Sequence, residues 1–179
     1  MTFKRMDESK LEDWQQIGAA HMPYQTSLPD RMLRMLEQLG EFSGGFGVDQ
    51  LHHALQTATM AKRAGASEEL QLCALLHDVG KVVSVANHPA IAAEILKPYV
   101  SEASYHIVRT HQDFQGRHYY ELIGRDPEAW DQYRDEPWFA AAEQFTDEWD
   151  QAAFDPDYEV IPLEEWKPLL EKILGPFKI

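Results

Sequence analysis

The sequence predicts an all-α protein, and three observations carry that expectation. Apolar residues recur at helical spacing through most of the chain. Strand-like alternation is nowhere sustained. Capping residues, glycines and prolines punctuate the apolar stretches at helix-length intervals. At 179 residues the chain suits one domain with a single hydrophobic core, so residues 1–179 are expected to form one unit.

The elements follow in order. Ser27 and Pro29–Asp30 open a helix, with Ser27 as its cap and Asp30 in the capping-box position, and MLRMLEQL carries it to Gly40. Residues 41–47, EFSGGFG, form a flexible Gly-rich loop. A helix capped near Asp49 comes next, with Leu51, Ala54, Leu55, Ala58 and Ala61 on one face and Gly65 at its end. Ser67 caps the following helix, which reaches Gly80. His88–Pro89 starts another, proline in the first turn. Glu102 to Thr110 is helical and delivers His111, and a turn at Gly116 leads to an amphipathic segment, YYELIG. Pro137 opens a helix that ends near Trp149–Asp150, and Pro162 begins a last one, LEEWKPLLEKIL, interrupted by Pro168. The tryptophans, Trp14, Trp130, Trp138, Trp149 and Trp166, are expected to pack between helices, although Trp130 or Tyr133 could line a ligand cage. Cys73 reads as a buried small hydrophobe.

Charge narrows the function. The net charge is −14, with the acids crowded towards the C-terminal third, which argues against a nucleic-acid partner because phosphates need a basic footprint. No apolar run approaches the roughly 20 residues that span a bilayer, so no membrane segment is expected. The N-terminus lacks an apolar signal region and Cys73 has no partner for an internal disulfide, which together point to a cytoplasmic setting.

The chemistry concentrates in LCALLHDVGK, residues 72–81. His77 and Asp78 follow a run of apolar residues of the kind that fills a helix interior. Burying an imidazole and a carboxylate there is costly unless something pairs with them. A metal ion would do so, and a buried His–Asp hydrogen bond would be the structural alternative. Seven of the eight histidines fall between residues 52 and 118. His53 flanks the Leu51/Leu55 stripe, His88 starts a helix, His111 ends one, and Asp150 closes a later one. His52 points some 100° away from His53 on the same helix and is set aside.

One histidine, a His-Asp pair about two dozen residues on, two single histidines and a late aspartate after tryptophan resemble the HD-domain superfamily from about Phe42 to Asp150. That resemblance implies an all-α HD-domain bundle, core about 42–150, around a dinuclear metal site. His53, His77, Asp78 and Asp150 would hold one metal and His88 and His111 the second, with Asp78 bridging. A nitrogen and carboxylate set without thiolate suits iron or manganese at least as well as zinc.

Most HD-domain proteins are phosphohydrolases, but the HDVGK motif looks like that of the mixed-valent di-iron oxygenases in the superfamily. The organophosphonate-cleaving group is similar in size, with elements matched by His53–Gln56, Ala74–Gly80 and Trp149–Asp150. The resemblance implies two iron ions, Fe(II)/Fe(III), and a phosphonate substrate and dioxygen as the only small-molecule partners. A 1-hydroxyphosphonate would be cleaved at its C–P bond to phosphate and a carboxylic acid, and Lys81 would bind the substrate and serve catalysis. Relatives that take a primary amine carry a tyrosine and a glutamate where this chain has Ser43 and Phe46. Phe46 cannot accept from an ammonium but suits a quaternary one, so the expected substrate is (R)-1-hydroxy-2-(trimethylammonio)ethylphosphonate. 2-Amino-1-hydroxyethylphosphonate and a hydrolysable phosphoester are the alternatives. Two family cations are missing, their positions holding Gln115 and Asp147, which leaves Lys81, Arg117 and His118 as donors for the phosphonate.

Overall fold

The computed structural model describes residues 3–175, and every regular element among them is helical. The α-helices are α1 (Leu11–Thr26), α2 (Leu28–Leu39), α3 (Gln50–Arg63), α4 (Glu68–Leu76), α5 (His88–Leu96), α6 (Glu102–Gly116), α7 (Phe139–Gln144) and α8 (Lys167–Leu174). Short 3-10 turns join several of them. None of these helices is long and apolar enough to cross a membrane.

Helix α4 is the centre of the bundle. Its consecutive residues Leu72, Cys73, Ala74, Leu75 and Leu76 are all fully buried, so it is apolar on every side rather than along one stripe. Helices α3, α6 and α8 enclose it. Each of its buried leucines contributes about 1.5–3 kcal/mol through removal of apolar surface from water.

The helix starts follow side-chain chemistry at three places. Asp49 accepts from the His52 N–H at 2.8 Å, Ser67 from Leu70 at 3.2 Å and Ser101 from Ser104 at 3.3 Å. The Ser101 hydroxyl also donates to Glu69 at 2.5 Å, tying the start of α6 to the first turn of α4. Gly65 ends α3 at φ +76°, a left-handed conformation that favours glycine.

Six expectations need correction. Ser27 is not a side-chain cap: α1 runs on to Thr26, the Ser27 N–H bonds the Pro23 carbonyl, and its hydroxyl donates to Tyr24. Asp30 is an ion-pair partner of Lys167 on α8, at 3.0 Å, instead of a capping-box residue. Helix α4 stops at Leu76, before the 3-10 turn Val79–Val82, so Gly80 does not end it. Pro168 does not interrupt the last helix but stands in its first turn, where a missing N–H costs nothing. YYELIG is no amphipathic helix: only Glu121–Ile123 forms a 3-10 turn, and Leu122 is 85% exposed. Among the tryptophans, Trp14 is exposed on α1, a helix with no buried residue, so it packs in no core.

The helix expected after Pro137 continues through α7 to Asp150, but its last stretch, Phe145–Asp150, is a π-helix. Such single-turn widenings of a helix are frequent at functional sites. This one buries Phe145, Thr146, Trp149 and Asp150 and packs against α3 and α6.

Candidate metal centre

Four histidines and two aspartates, from α3, the end of α4, α5, α6 and the π-helix, meet in the interior. His53, His77, Asp78, His88, His111 and Asp150 are each at most 4% exposed. All six sequence-predicted positions are therefore brought together, and both carboxylates lie where an unpaired charge would be prohibitively costly.

Backbone carbonyls orient all four imidazoles. Nδ1 of His53 lies 3.0 Å from the Ala153 carbonyl oxygen, and Nδ1 of His77 lies 2.8 Å from that of Ala74. For His88 the partner is Val85 at 2.8 Å, and for His111 it is Val108 at 2.7 Å. A carbonyl oxygen can only accept, so each Nδ1 carries a hydrogen and each Nε2 is turned inward. This is the outer-partner arrangement that fixes tautomer and ring direction in metal-binding histidines.

The inward atoms fall into two groups that share Asp78. In the first, His53 Nε2 and His77 Nε2 are 3.2 Å apart, and Asp150 Oδ1 stands 3.2 Å and 3.4 Å from them. Asp78 Oδ2 is 3.4 Å from both. In the second, His88 Nε2 and His111 Nε2 are 3.3 Å apart, with Asp78 Oδ1 at 3.0 Å and 3.5 Å. One carboxylate thus turns one oxygen to each group. Atoms of His53, His77 and Asp150, and again of His77, Asp78 and His111, lie within 4.8 Å of one another, close enough to surround a cation.

The electrostatics fit that use. Burial pushes the His77 pKa down, but Asp78 and Asp150 outweigh it and raise it to about 9. Burial would raise Asp78 and Asp150, yet the facing histidines, with Lys81 at Asp78, hold both carboxylates well below their ordinary range. In the second group burial lowers the pKa of His111. There two Nε2 atoms and Asp78 Oδ1 converge, and Asp78 Oδ1 has no hydrogen-bond donor. Asp150 Oδ2 is likewise buried without a donor. Converging buried acceptors with no donor are what a cation satisfies. The donor set is nitrogen and oxygen only, which suits a divalent first-row metal of the iron or manganese type as well as zinc.

The remaining sequence-predicted residues lie around this centre in two places. Lys81 Nζ donates to Asp78 Oδ2 and to Gln50 Oε1, both at 2.5 Å, so its ammonium is bound to the shared carboxylate. Arg117 and His118 lie near the π-helix. Arg117 pairs with Glu143 at 3.0 Å and with Asp147, and its guanidinium lies over the Trp130 ring. His118 Nε2 is 3.2 Å from Asp147 Oδ1. Asp147 thus holds two of the three side chains expected to receive the phosphonate, Arg117 and His118. Trp130 and Tyr133 pack on Phe114 of α6, and the Tyr133 hydroxyl donates to Asp113 at 2.9 Å.

A cleft of about 370 Å³ lies beside the centre, lined by Phe46, Gln115, His118, Tyr119, Gln151 and Phe154. Gln115 links it to the centre by donating to Asp150 Oδ1 at 3.0 Å. Phe154 links it again, its ring lying flat on the His53 imidazole with centroids 4.4 Å apart. Phe46, 53% exposed, stacks on the other side of Phe154 at 4.7 Å.

Sequence reasoning missed Phe154, Gln50 and the hydrogen bond from Gln115. Gln115 reads in the sequence only as a lost lysine. Phe154 had one signal, its place four residues after Asp150, and nothing in the sequence turns its ring towards His53.

The HD domain family model matches residues 51–159. No curated protein matches the chain.

Proposed function

Because this chain belongs to the HD domain family, whose members are usually metal-dependent enzymes, we propose that it is a dioxygen-dependent di-iron enzyme that cleaves the C–P bond of a 1-hydroxyphosphonate. In this reading the whole chain is one HD domain, with α1 and α8 as extensions. His53, His77, Asp78 and Asp150 would hold one metal, and His88 and His111, with Asp78 shared, the other.

The observation that carries the reading is the two-sided placement of Asp78. A carboxylate shared between two nitrogen-rich groups keeps two metals close enough to act on one substrate. Bound there, the metals would supply a Lewis-acid hold on the substrate and the means to reduce dioxygen. The reaction balances without another reductant: C1–H and C–P break, C–O and P–O bonds form, and the four electrons lost by the substrate reduce one dioxygen to the carboxylate and phosphate level. Lys81, at the rim of the centre on Asp78, would bind and orient the substrate and hold a proton near C1 chemistry.

The cleft supports a substrate with a quaternary ammonium group. Phe46 and Tyr119 offer aromatic faces, which attract a cation that has no hydrogen to donate. (R)-1-Hydroxy-2-(trimethylammonio)ethylphosphonate fits both ends, giving glycine betaine and phosphate. 2-Amino-1-hydroxyethylphosphonate would leave its ammonium donors unpaired against Phe46.

The second reading is metal-dependent phosphoester hydrolysis, favoured by the pairing of Arg117 and His118 with Asp147, which leaves an anionic substrate to the metals. One experiment separates the two. Protein reconstituted anaerobically with Fe(II) is mixed with the phosphonate, dioxygen is admitted, and phosphate is measured. Phosphate that appears only with dioxygen supports the oxygenase. Phosphate released from a phosphoester without dioxygen, with manganese in place of iron, supports the hydrolase and sinks the first reading if the phosphonate is untouched.

A further inference from the structure

The three residues Ala153–Asp155 leave the π-helix and close back over α3, and each of them grips that helix. The Ala153 carbonyl accepts from His53 Nδ1–H at 3.0 Å. The Phe154 ring lies on the face of the same imidazole, 4.4 Å between centroids and 14° between planes. The backbone of Asp155 is tied to Gln56, one turn along α3 from His53: Gln56 Nε2 donates to the Asp155 carbonyl at 2.8 Å, and the Asp155 N–H donates to Gln56 Oε1 at 3.2 Å.

We propose that Phe154 is a positioning residue of the metal centre, which together with the Ala153 carbonyl fixes the ring plane in which His53 Nε2 points at His77 and Asp150. The proposal rests on reading His53 as a ligand.

The reason lies in what one hydrogen bond leaves free. A carbonyl on Nδ1 sets the tautomer and one direction, but the imidazole can still rock about that bond. A ring laid flat on its face removes the rocking motion. His53 has such a ring on its face, whereas the aromatic contacts of His77, His88 and His111 are edge-on, at interplanar angles of 60° to 87°. Phe154 cannot drift away, since Gln56 pins the next residue with a paired amide contact and Phe46 covers the far face of its ring. Three rings therefore stack from a buried imidazole to the half-exposed wall of the cleft, and whatever fills the cleft lies against the group that aims His53.

The test uses the metal-free full-length protein titrated with Mn(II) by calorimetry, as wild type and as Phe154→Leu, Phe154→Tyr and Gln56→Leu. Phe154→Leu is expected to weaken one of two Mn(II) sites by about tenfold or more, the usual effect of losing an outer partner, and to leave the other within about twofold. Phe154→Tyr keeps the flat ring and should restore the site, and Gln56→Leu should weaken it in the same direction. In the metal-free protein the His53 Nδ1–H proton should give a slowly exchanging resonance in wild type and Phe154→Tyr, and an exchange-broadened one in Phe154→Leu. Unchanged Mn(II) affinities together with an unchanged Nδ1–H resonance in Phe154→Leu would overturn the proposal. So would an equal loss at both sites alongside a lower melting temperature, which marks mere packing, or a wild type that takes no Mn(II). A wild type that binds two Mn(II) yet, reconstituted with Fe(II), releases no phosphate from the phosphonate with dioxygen sinks only the oxygenase reading.

Discussion

Gly80 packs directly beneath the backbone of His88: a Cβ on Gly80 would stand 2.8 Å from His88 Cα and closer still to the His88 carbonyl oxygen. Its φ is not positive, so the glycine is required by space and not by conformation. The turn that follows His77 and Asp78 is thereby locked to the first residue of α5, which brings the second histidine pair within reach of Asp78 Oδ1.

Gly80→Ala is accordingly expected to force the Val79–Val82 turn away from α5. The overpacked backbone contact should cost about 1–3 kcal/mol in urea denaturation. Displacing His88 should also lower metal content from two to one per chain after desalting, by elemental analysis. Gly65→Ala, where nothing lies within 4 Å of the new Cβ, is the control: it strains a positive φ but should keep both metals.

In the proposed centre Asp78 is shared by both groups, so its loss should differ in kind from the loss of either neighbour. Asp78→Asn is expected to abolish binding of both metals, whereas His111→Ala should keep one, in the group of His53, His77 and Asp150. Elemental analysis of the two purified variants checks this, and equal residual metal in both would exclude a bridging Asp78.

Metal removal should destabilise the fold, because the acceptors around Asp78 Oδ1 and Asp150 Oδ2 have no donor of their own. A metal present at about 100 times its Kd stabilises by about 2.7 kcal/mol per site. Chelator-treated protein should therefore melt several degrees lower, and re-addition of Fe(II) or Mn(II) should restore the midpoint. Scanning calorimetry measures it, and an unchanged midpoint would mean that the acceptors are satisfied in some other way.

Phe46 should set the choice of substrate cation. Removing one aromatic face costs about 0.5–2 kcal/mol of cation–π attraction, so Phe46→Ala is expected to raise KM for the trimethylammonium phosphonate by about 2- to 30-fold with little change in kcat. Phe46→Glu should shift preference towards the primary-amine phosphonate, since a carboxylate can accept the hydrogens that a phenyl ring cannot. Steady-state kinetics with both substrates decides it.

Several features were open to sequence reading because they depend on local chemistry. The 3.6-residue pattern gives α3, and side-chain caps mark Asp49 and Ser67. The order of His53, His77–Asp78, His88, His111 and Asp150 marks out the six residues that converge. Other features depend on which surfaces meet. Gly80 reads as a helix stop because glycine usually is one, while its actual neighbour, His88, comes from the next helix. Arg117 and His118 read as free donors, and only the packing of α6 against α7 and the π-helix brings Glu143 and Asp147 to them.

The sequence by itself determined that the chain is helical and that an apolar run leads to His77 and Asp78, because periodicity, capping and residue type are properties of short stretches, and its resemblance to the HD domain implied the ligand set. Tertiary structure alone decided that Asp78 turns one oxygen to each histidine pair and that Phe154 lies flat on His53. Those are relations between segments up to about a hundred residues apart, and only close packing fixes the distances and planes on which their chemistry depends.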